Sequence, residues 1–284
     1  MKSSVDERVL AAVIGHPITH SLSPVIHEAA FRAAGRAGQY IAVDCVEGSL
    51  GDVMKSLHKQ SVLGVSVTMP LKEAVIDHLD AVSVDASLLN AVNCVAISDG
   101  RSTGYNTDGE GCCDALVNQG RAKLNGATAV VLGAGGTARS VALALGRRGA
   151  RVLIVNRTIE SAERLVAQLH DALNGGAGSL EVADMASIAG ADVVVNATSV
   201  GMNSQESPVP RELLHKGLVV LDAVYSPMQT VLLRDAAEAG SVTVDGLWML
   251  IYQACHQQML WFGENPDAQA MRDAAEQELE RRRK

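Results

Sequence analysis

VVLGAGGTA, residues 130–138, is the stretch whose reading decides the fold. The apolar run TAVVL (128–132) leads into Gly133-Ala134-Gly135-Gly136-Thr137-Ala138, and a helical pattern, TARSVALALGRRG, follows. This is the G-x-G-x-x-A form of a strand–turn–helix nucleotide fingerprint. The first glycine makes the tight turn and the second lets backbone approach a pyrophosphate. Ala138 permits close packing of helix on strand, and the helix N-terminus supplies amide donors to phosphate oxygens. About a hundred residues of other structure precede it, so the nucleotide-binding half comes second.

Working outward from that turn, RVLIVN, ADVVVNA and GLVVLDA are continuous apolar runs of the kind buried on both sheet faces. The helical patterns IESAERLVAQLHDAL and VLLRDAAEAG separate them. The alternation predicts a Rossmann-type, doubly wound parallel sheet, with NGGAGS (174–179) as a loop. Upstream, VLAAVIG (9–15), YIAVDCV, VLGVSVT and AVNCVAI are strand candidates, and LKEAVIDHL and GEGCCDALVNQG are helix candidates. Ser23-Pro24 opens a helix, with the serine as N-cap, and Gly35 closes it. A mainly parallel sheet with helices on both faces is the expectation here too. From Asp245 a long helix runs through LWMLIYQACHQQMLWF, and PDAQAMRDAAEQELERRRK forms a last amphipathic one. No strand follows, so these helices are expected to pack back on the first domain. The terminal RRRK suits the negative end of a helix dipole. The fold class is therefore α/β: two α/β domains flanking a cleft. Residues 1–108 plus 246–284 form the substrate-binding, catalytic domain, and residues 109–245 the nucleotide-binding domain.

Composition narrows the partners. The 284 residues are 48% hydrophobic, 20% charged and only 3% aromatic, with a net charge of −8. That length predicts two domains with an aliphatic, Ala-rich core. The charge argues against nucleic acid or an anionic membrane as the partner. A small anionic substrate would be held by local donors, against the overall field. Cys45, Cys94, Cys112, Cys113 and Cys255 have no CxxC spacing and read as free thiols in a reducing, cytoplasmic compartment. Asp6, Glu7 and Arg8 precede the first strand, which is not a signal-peptide pattern. No apolar run approaches the ~20 residues of a membrane span. His16, His20 and His27 lie either side of a helix start with no Cys or carboxylate to complete a site, so no metal is expected.

The second strand of the nucleotide half ends in Asn156-Arg157-Thr158. An NAD enzyme normally carries Asp or Glu there for the ribose 2′-hydroxyl. A cation and a hydroxyl suit a 2′-phosphate instead, which predicts NADP. Thr198 and Ser199 follow another strand's C-terminal end, where ligands collect in doubly wound sheets, and Tyr225 follows a third.

Three polar clusters remain upstream: THSLSP (19–24), VTMPLK (67–72) and YNTDG (105–109). Ser21 and Ser23 lie two apart before a helix, where both hydroxyls can meet one small anion; read alone, Ser23 is an N-cap. Lys72 falls at a predicted helix start, the unfavourable end for a cation. Asp108 doubles as a candidate N-cap. Together with VNRT, NATSVGM and DGLWMLIYQACHQ, these segments resemble the shikimate dehydrogenase family over essentially the whole chain. The resemblance implies reversible reduction of 3-dehydroshikimate to shikimate with NADPH, in aromatic amino-acid biosynthesis. It assigns Ser21 and Ser23 to the substrate carboxylate and Lys72 and Asp108 to catalysis. Thr68, Asn93 and Gln253 go to ring hydroxyls, and NADP falls to the glycine loop, Asn156, Arg157 and Thr158. By their places in the chain, Tyr225 is a further candidate at the substrate–nicotinamide edge, and Thr198, Ser199 and Gly246 are candidates for the cofactor. A monomer or homodimer is expected.

Three positions depart from the family pattern. Ser66 stands where N-V-T has its asparagine, Asn90 takes the glycine place of G-A-V-N, and Trp248 occupies a place often held by a small residue. Two readings stand: neutral drift, or a paralogue acting on quinate, an amino analogue or another hydroxylated ring acid. Keeping Ser23 argues mildly for shikimate, since quinate adds a tertiary hydroxyl beside the carboxylate. A non-catalytic ligand sensor should have lost Lys72 or Asp108, and both are present.

Overall fold

The computed structural model describes residues 8–173, 176, 178–202 and 204–283. The readings of Asp6 and Glu7, of residues 174, 175 and 177 in the NGGAGS loop, and of Lys284 fall outside these.

The chain opens with β1 (Val9–Gly15), α1 (Ser23–Ala33), β2 (Gln39–Asp44), α2 (Leu50–Lys59) and β3 (Gly64–Val67). Next come β4 (Ala81–Val82), α3 (Val84–Leu89), β5 (Cys94–Ser98) and β6 (Arg101–Tyr105). The following stretch holds α4 (Asp108–Asn118), β7 (Thr128–Leu132), α5 (Gly136–Arg147), β8 (Arg151–Val155), α6 (Ile159–Leu173) and β9 (Ser179–Val182). It continues with β10 (Val193–Asn196), β11 (Val219–Asp222), α7 (Val231–Glu238) and β12 (Val242–Val244), and α8 (Gly246–Phe262) and α9 (Ala268–Arg283) end the chain. Two compact units result, one of Met1–Thr107 with Ala254–Lys284, the other of Asp108–Gln253.

The first unit is built on a six-stranded sheet in the order β2-β1-β3-β5-β6-β4. β1 pairs in parallel with β2 and β3, whereas β5 runs antiparallel to both β3 and β6. The sequence gives no sign of β6, because RSTGY is polar and follows a two-residue turn. β1 alternates between the two faces: Ala12 and Ile14 join Leu50, Leu57, Val65 and Leu71 on one side. Leu10, Ala11 and Val13 join Phe31, Tyr40 and Trp261 on the other. Burial on both faces explains its unbroken apolar run. Two local expectations change. The residue before α1 is Leu22, with no side-chain cap, and Ser23 is the first helical residue. Residues 69–73 form turns leading into a short 3₁₀ helix, Ala74–His78, so Lys72 sits on a turn and not at an α-helix start.

α9 lies along α1 in this unit, burying Met271 and Ala275. Phe262 meets Phe31 edge-on at 5.5 Å, and Arg36 stacks over the Phe262 ring while pairing with Glu264.

The second unit has six parallel strands in the order β12-β11-β10-β7-β8-β9, the doubly wound arrangement expected from the sequence. The order reverses between β7 and β10, the switch point at which ligands bind in such sheets. α8 starts within this unit because Gly246 packs against the carbonyls of Asp222 and Ala223, and Gln253 packs on Gly111 of α4.

His27 is fully buried between elements of the first unit. It stacks on Tyr40 at 4.4 Å, and Gln258 Nε2 donates to its Nδ1 at 2.8 Å. Burial lowers its pKa from 6.5 to about 3. The folded chain thus keeps the ring neutral where the unfolded chain protonates it. Stability from this group is complete above pH 6.5 and is lost as pH falls toward 3, by up to ~1.4 kcal/mol per pH unit. Denaturant titrations between pH 7 and 4 should show this slope in the wild type and a shallower one in His27→Phe. Equal slopes would mean that another group governs acid unfolding.

Candidate active site

In the first unit the polar clusters gather at one end of the sheet. Ser21 and Ser23 follow the C-terminal end of β1, Thr68 and Lys72 follow that of β3, and Asn93 precedes the antiparallel β5. The loops carrying them are tied together through backbone. Thr68 N–H donates to Ile14 O at 3.0 Å, and His16 N–H to Met69 O at 2.9 Å. Gly15 permits this approach, since a Cβ there would press into the Thr68 methyl and come within 2.9 Å of Met69 O. Lys72 is anchored on both sides: Leu71 is fully buried, and Lys72 O accepts from Val92 N–H at 2.8 Å. Ser21 Oγ accepts from Ser23 N–H at 3.2 Å, which satisfies an N-terminal amide of α1 and leaves the Ser21 hydroxyl able to donate elsewhere.

Asn93 is buried. Its Oδ1 accepts from Thr107 N–H at 2.8 Å and its Nδ2 donates to Thr107 Oγ1 at 3.0 Å. Asn106 Nδ2 donates to Ala91 O at 3.0 Å. The NAVN and YNT segments thus fix each other, and Asp108, the next residue, begins α4.

In the second unit the nucleotide residues line the switch point. A pocket of about 470 Å³ is bordered by Gly133, Asn156, Arg157, Met185, Thr198, Ser199 and Pro208, among others. Gly133 has φ +109°, open to glycine and strained for other residues, and a Cβ there would meet the Thr198 methyl at 3.1 Å. Gly135 caps α5 in extended conformation without a side-chain bond, so Ala134, Gly136 and Thr137 present backbone at the helix N-terminus while Ala138 is buried beneath. Asn156 Nδ2 donates to Thr158 O at 2.8 Å, which shapes the turn and leaves Arg157 and Thr158 exposed. A glycine cradle, an uncapped helix N-terminus and an exposed guanidinium at the rim fit a dinucleotide carrying an extra phosphate. Tyr225 follows β11, Gly246 packs against that strand's end, and Gln253 Nε2 donates to Leu250 O at 2.9 Å. Among the described residues no group of three or more His, Cys, Asp or Glu could hold a metal ion, and no helix is long and apolar enough to cross a membrane.

Sequence reasoning missed the pair beneath the nucleotide loop. Asn196 and Asp222 are fully buried at the ends of β10 and β11. Asn196 Nδ2 donates to Asp222 Oδ1 at 2.8 Å and to Val200 O at 3.1 Å, and Asn196 Oδ1 accepts from Thr198 N–H and Oγ1 at 3.0 and 2.7 Å. Asp222 also accepts from Thr230 Oγ1 at 2.6 Å and Val224 N–H at 3.0 Å. Burial raises its carboxyl pKa, and these bonds oppose the shift. The sequence signal was an Asn and an Asp closing otherwise apolar strands.

Three family profiles match the chain in order. They are the shikimate dehydrogenase substrate binding domain over residues 13–95, shikimate / quinate 5-dehydrogenase over 115–217, and the shikimate 5′-dehydrogenase C-terminal domain over 246–276. A Thermococcus kodakarensis protein named shikimate dehydrogenase (NADP(+)) is 44% identical over 272 residues, covering 95% of this chain and 96% of its own. The chain belongs to the shikimate dehydrogenase family. The Thermus thermophilus shikimate 5-dehydrogenase, solved with NADP(H) and shikimate, superposes with a TM-score of 0.86 at 38% identity, covering 95% of this chain and 99% of that one. The 5-ketofructose reductase of Gluconobacter sp. strain CHM43 gives a TM-score of 0.88 at 33% identity, covering 96% and 99%.

Within this shikimate dehydrogenase scaffold, the three departures have separate structural accounts. Asn90 ends α3 at φ 48°, ψ 44°, the left-handed conformation that asparagine tolerates best after glycine. A position in this conformation accepts either glycine or asparagine. Ser66 is buried, accepts from the Tyr40 hydroxyl at 2.6 Å and donates to Gln257 Oε1 at 2.5 Å. Gln257 Nε2 in turn donates to Asn93 O at 3.2 Å. Trp248 stacks on Tyr252 at 5.6 Å along α8.

Asn196→Ala removes four hydrogen bonds, one of them to the buried Asp222 carboxylate. It should destabilise the protein by about 2–4 kcal/mol and weaken NADP binding, because Thr198 loses its anchor. Calorimetric unfolding with and without NADP reads both effects.

Proposed function

We propose that this protein interconverts 3-dehydroshikimate and shikimate with NADP(H). The observation that carries the reading is the gathering of Ser21, Ser23, Thr68, Lys72 and Asn93 at one sheet end. It occurs in a chain that is 44% identical to a relative named for this activity. NADPH, when bound, supplies the hydride. The glycine loop would hold its pyrophosphate, and Asn156, Arg157 and Thr158 its 2′-phosphate. Thr198, Ser199 and Gly246 would complete that site.

The rest falls to the chain's own side chains. Ser21 and Ser23 donate their hydroxyl protons to the substrate carboxylate beside the positive end of α1. Thr68, Asn93 and Gln253 fix the ring hydroxyls, and Tyr225 borders the reacting face. Hydride arrival builds negative charge on the carbonyl oxygen, and Lys72 gives that oxygen a proton. In the reverse direction Lys72 takes the proton back. Asp108 accepts from a neighbouring ring hydroxyl and sets the ring's orientation. The five free thiols suit a reducing compartment, and we place the enzyme in the cytoplasm.

A second reading, a different hydroxylated substrate, has one observation in its favour: the scaffold matches a 5-ketofructose reductase at 33% identity.

The test is NADPH formation with shikimate, run beside quinate and a ketohexose couple. Shikimate should be turned over fastest, and Lys72→Ala should lower kcat by ~10²–10⁴-fold with KM little changed. Faster turnover of either competitor selects the second reading, and a Lys72→Ala loss below tenfold removes the lysine from proton transfer. Arg157→Ala should reduce the preference for NADP over NAD by about ten- to hundredfold. Equal efficiency of the wild type with both cofactors would refute the 2′-phosphate role.

A further inference from the structure

The C-terminal helix reaches the serine loop. Arg282, the penultimate residue of α9, donates from Nη1 to His20 O at 2.7 Å and from Nη2 to Ser21 O at 3.3 Å. Its Nε donates to Glu278 Oε1 at 2.7 Å, and Glu278 also accepts from Arg281 at 2.8 Å. Glu278 is only 13% exposed and Arg282 29%, so the pair is partly shielded from solvent. The guanidinium is thus oriented at one nitrogen by its own helix and forks across two consecutive carbonyls 262 and 261 residues away.

We infer that Arg282 is a positioning residue for the carboxylate subsite, holding the Ser21–Ser23 loop in its anion-binding shape. The inference rests on the assignment of those serines to the substrate carboxylate. In a trans peptide the C=O and N–H point opposite ways. Drawing the carbonyls of His20 and Ser21 toward α9 therefore turns the N–H groups of Ser21 and Leu22 away from it. Ser21 N–H is taken by Ile18 O at 3.0 Å, so the turn is held from both sides. The Ser21 side chain then stands with its oxygen on Ser23 N–H and its proton available to a ligand. The loop is also held at Ile18, whose N–H donates to Asp44 Oδ1 at 3.3 Å, but Arg282 is the contact that takes the His20 and Ser21 carbonyls.

The test compares wild type with Arg282→Ala and Arg282→Lys, measuring kcat, KM for shikimate, KM for NADP, and amide hydrogen exchange of residues 20–23. Arg282→Ala should raise KM for shikimate about tenfold, leave kcat within twofold and KM for NADP unchanged, and speed exchange at Ser21 and Ser23. Arg282→Lys should recover part of the KM, because an ammonium keeps the charge but cannot span two carbonyls in a planar fork. Unchanged KM or unchanged exchange in Arg282→Ala overturns the inference, as does a fall in kcat with KM constant. If the wild type does not turn over shikimate, the functional reading fails, and the exchange rates alone decide whether Arg282 holds the loop.

Discussion

Strands covered on both faces leave a polar side chain nowhere to emerge except at their ends, and this constraint organises both units. β1, β7, β10 and β11 are apolar and buried almost throughout. An unpaired polar group inside them would cost ~1–3 kcal/mol. Chemistry is therefore confined to the loops leaving the strand ends. In the first unit those loops carry Ser21, Thr68 and Lys72. In the second they carry Gly133, Asn156 and Thr198.

Loops placed in this way still need to be held in shape, and buried hydrogen-bond networks do it. Asn93 with Thr107 and Asn196 with Asp222 each join two strand ends, and Ser66 with Tyr40 and Gln257 links two strands to α8. Each polar atom in them is expensive to leave unpaired in low dielectric, so the networks are satisfied together and make the loops rigid. Arg282 extends the same logic to the serine loop from outside the sheet. Rigid loops matter because substrate-orienting groups lose effect when displaced by as little as ~1 Å.

Much of this was legible in the chain. Continuous apolar runs marked the parallel strands, and α6 spans the same fifteen residues that the helical pattern marked, Ile159–Leu173. The glycine turn, the NRT turn and the serine and lysine clusters all pointed to strand ends. The misreadings have physical causes. β6 escaped notice because it is polar and short, stabilised by pairing with β5 and not by its own apolar face. Ser23 looked like an N-cap on spacing alone, yet the chain before it turns early and makes Leu22 the boundary residue. Lys72 seemed to open an α-helix, but the turns through Pro70 leave only a short 3₁₀ segment after it.

The sequence by itself determined the α/β class, the doubly wound nucleotide half, the family and the residue types available for chemistry, because each rests on local periodicity and on motifs a few residues long. Only the tertiary structure decided which polar groups support others. Ser66 proved to be engaged by residues 26 and 191 positions away. Asn93 proved to be tied to Thr107, and a C-terminal arginine to be fastened to the loop after the first strand. Such partners are set by how strands and helices stack, and stacking brings together residues between which no local pattern in the chain can connect.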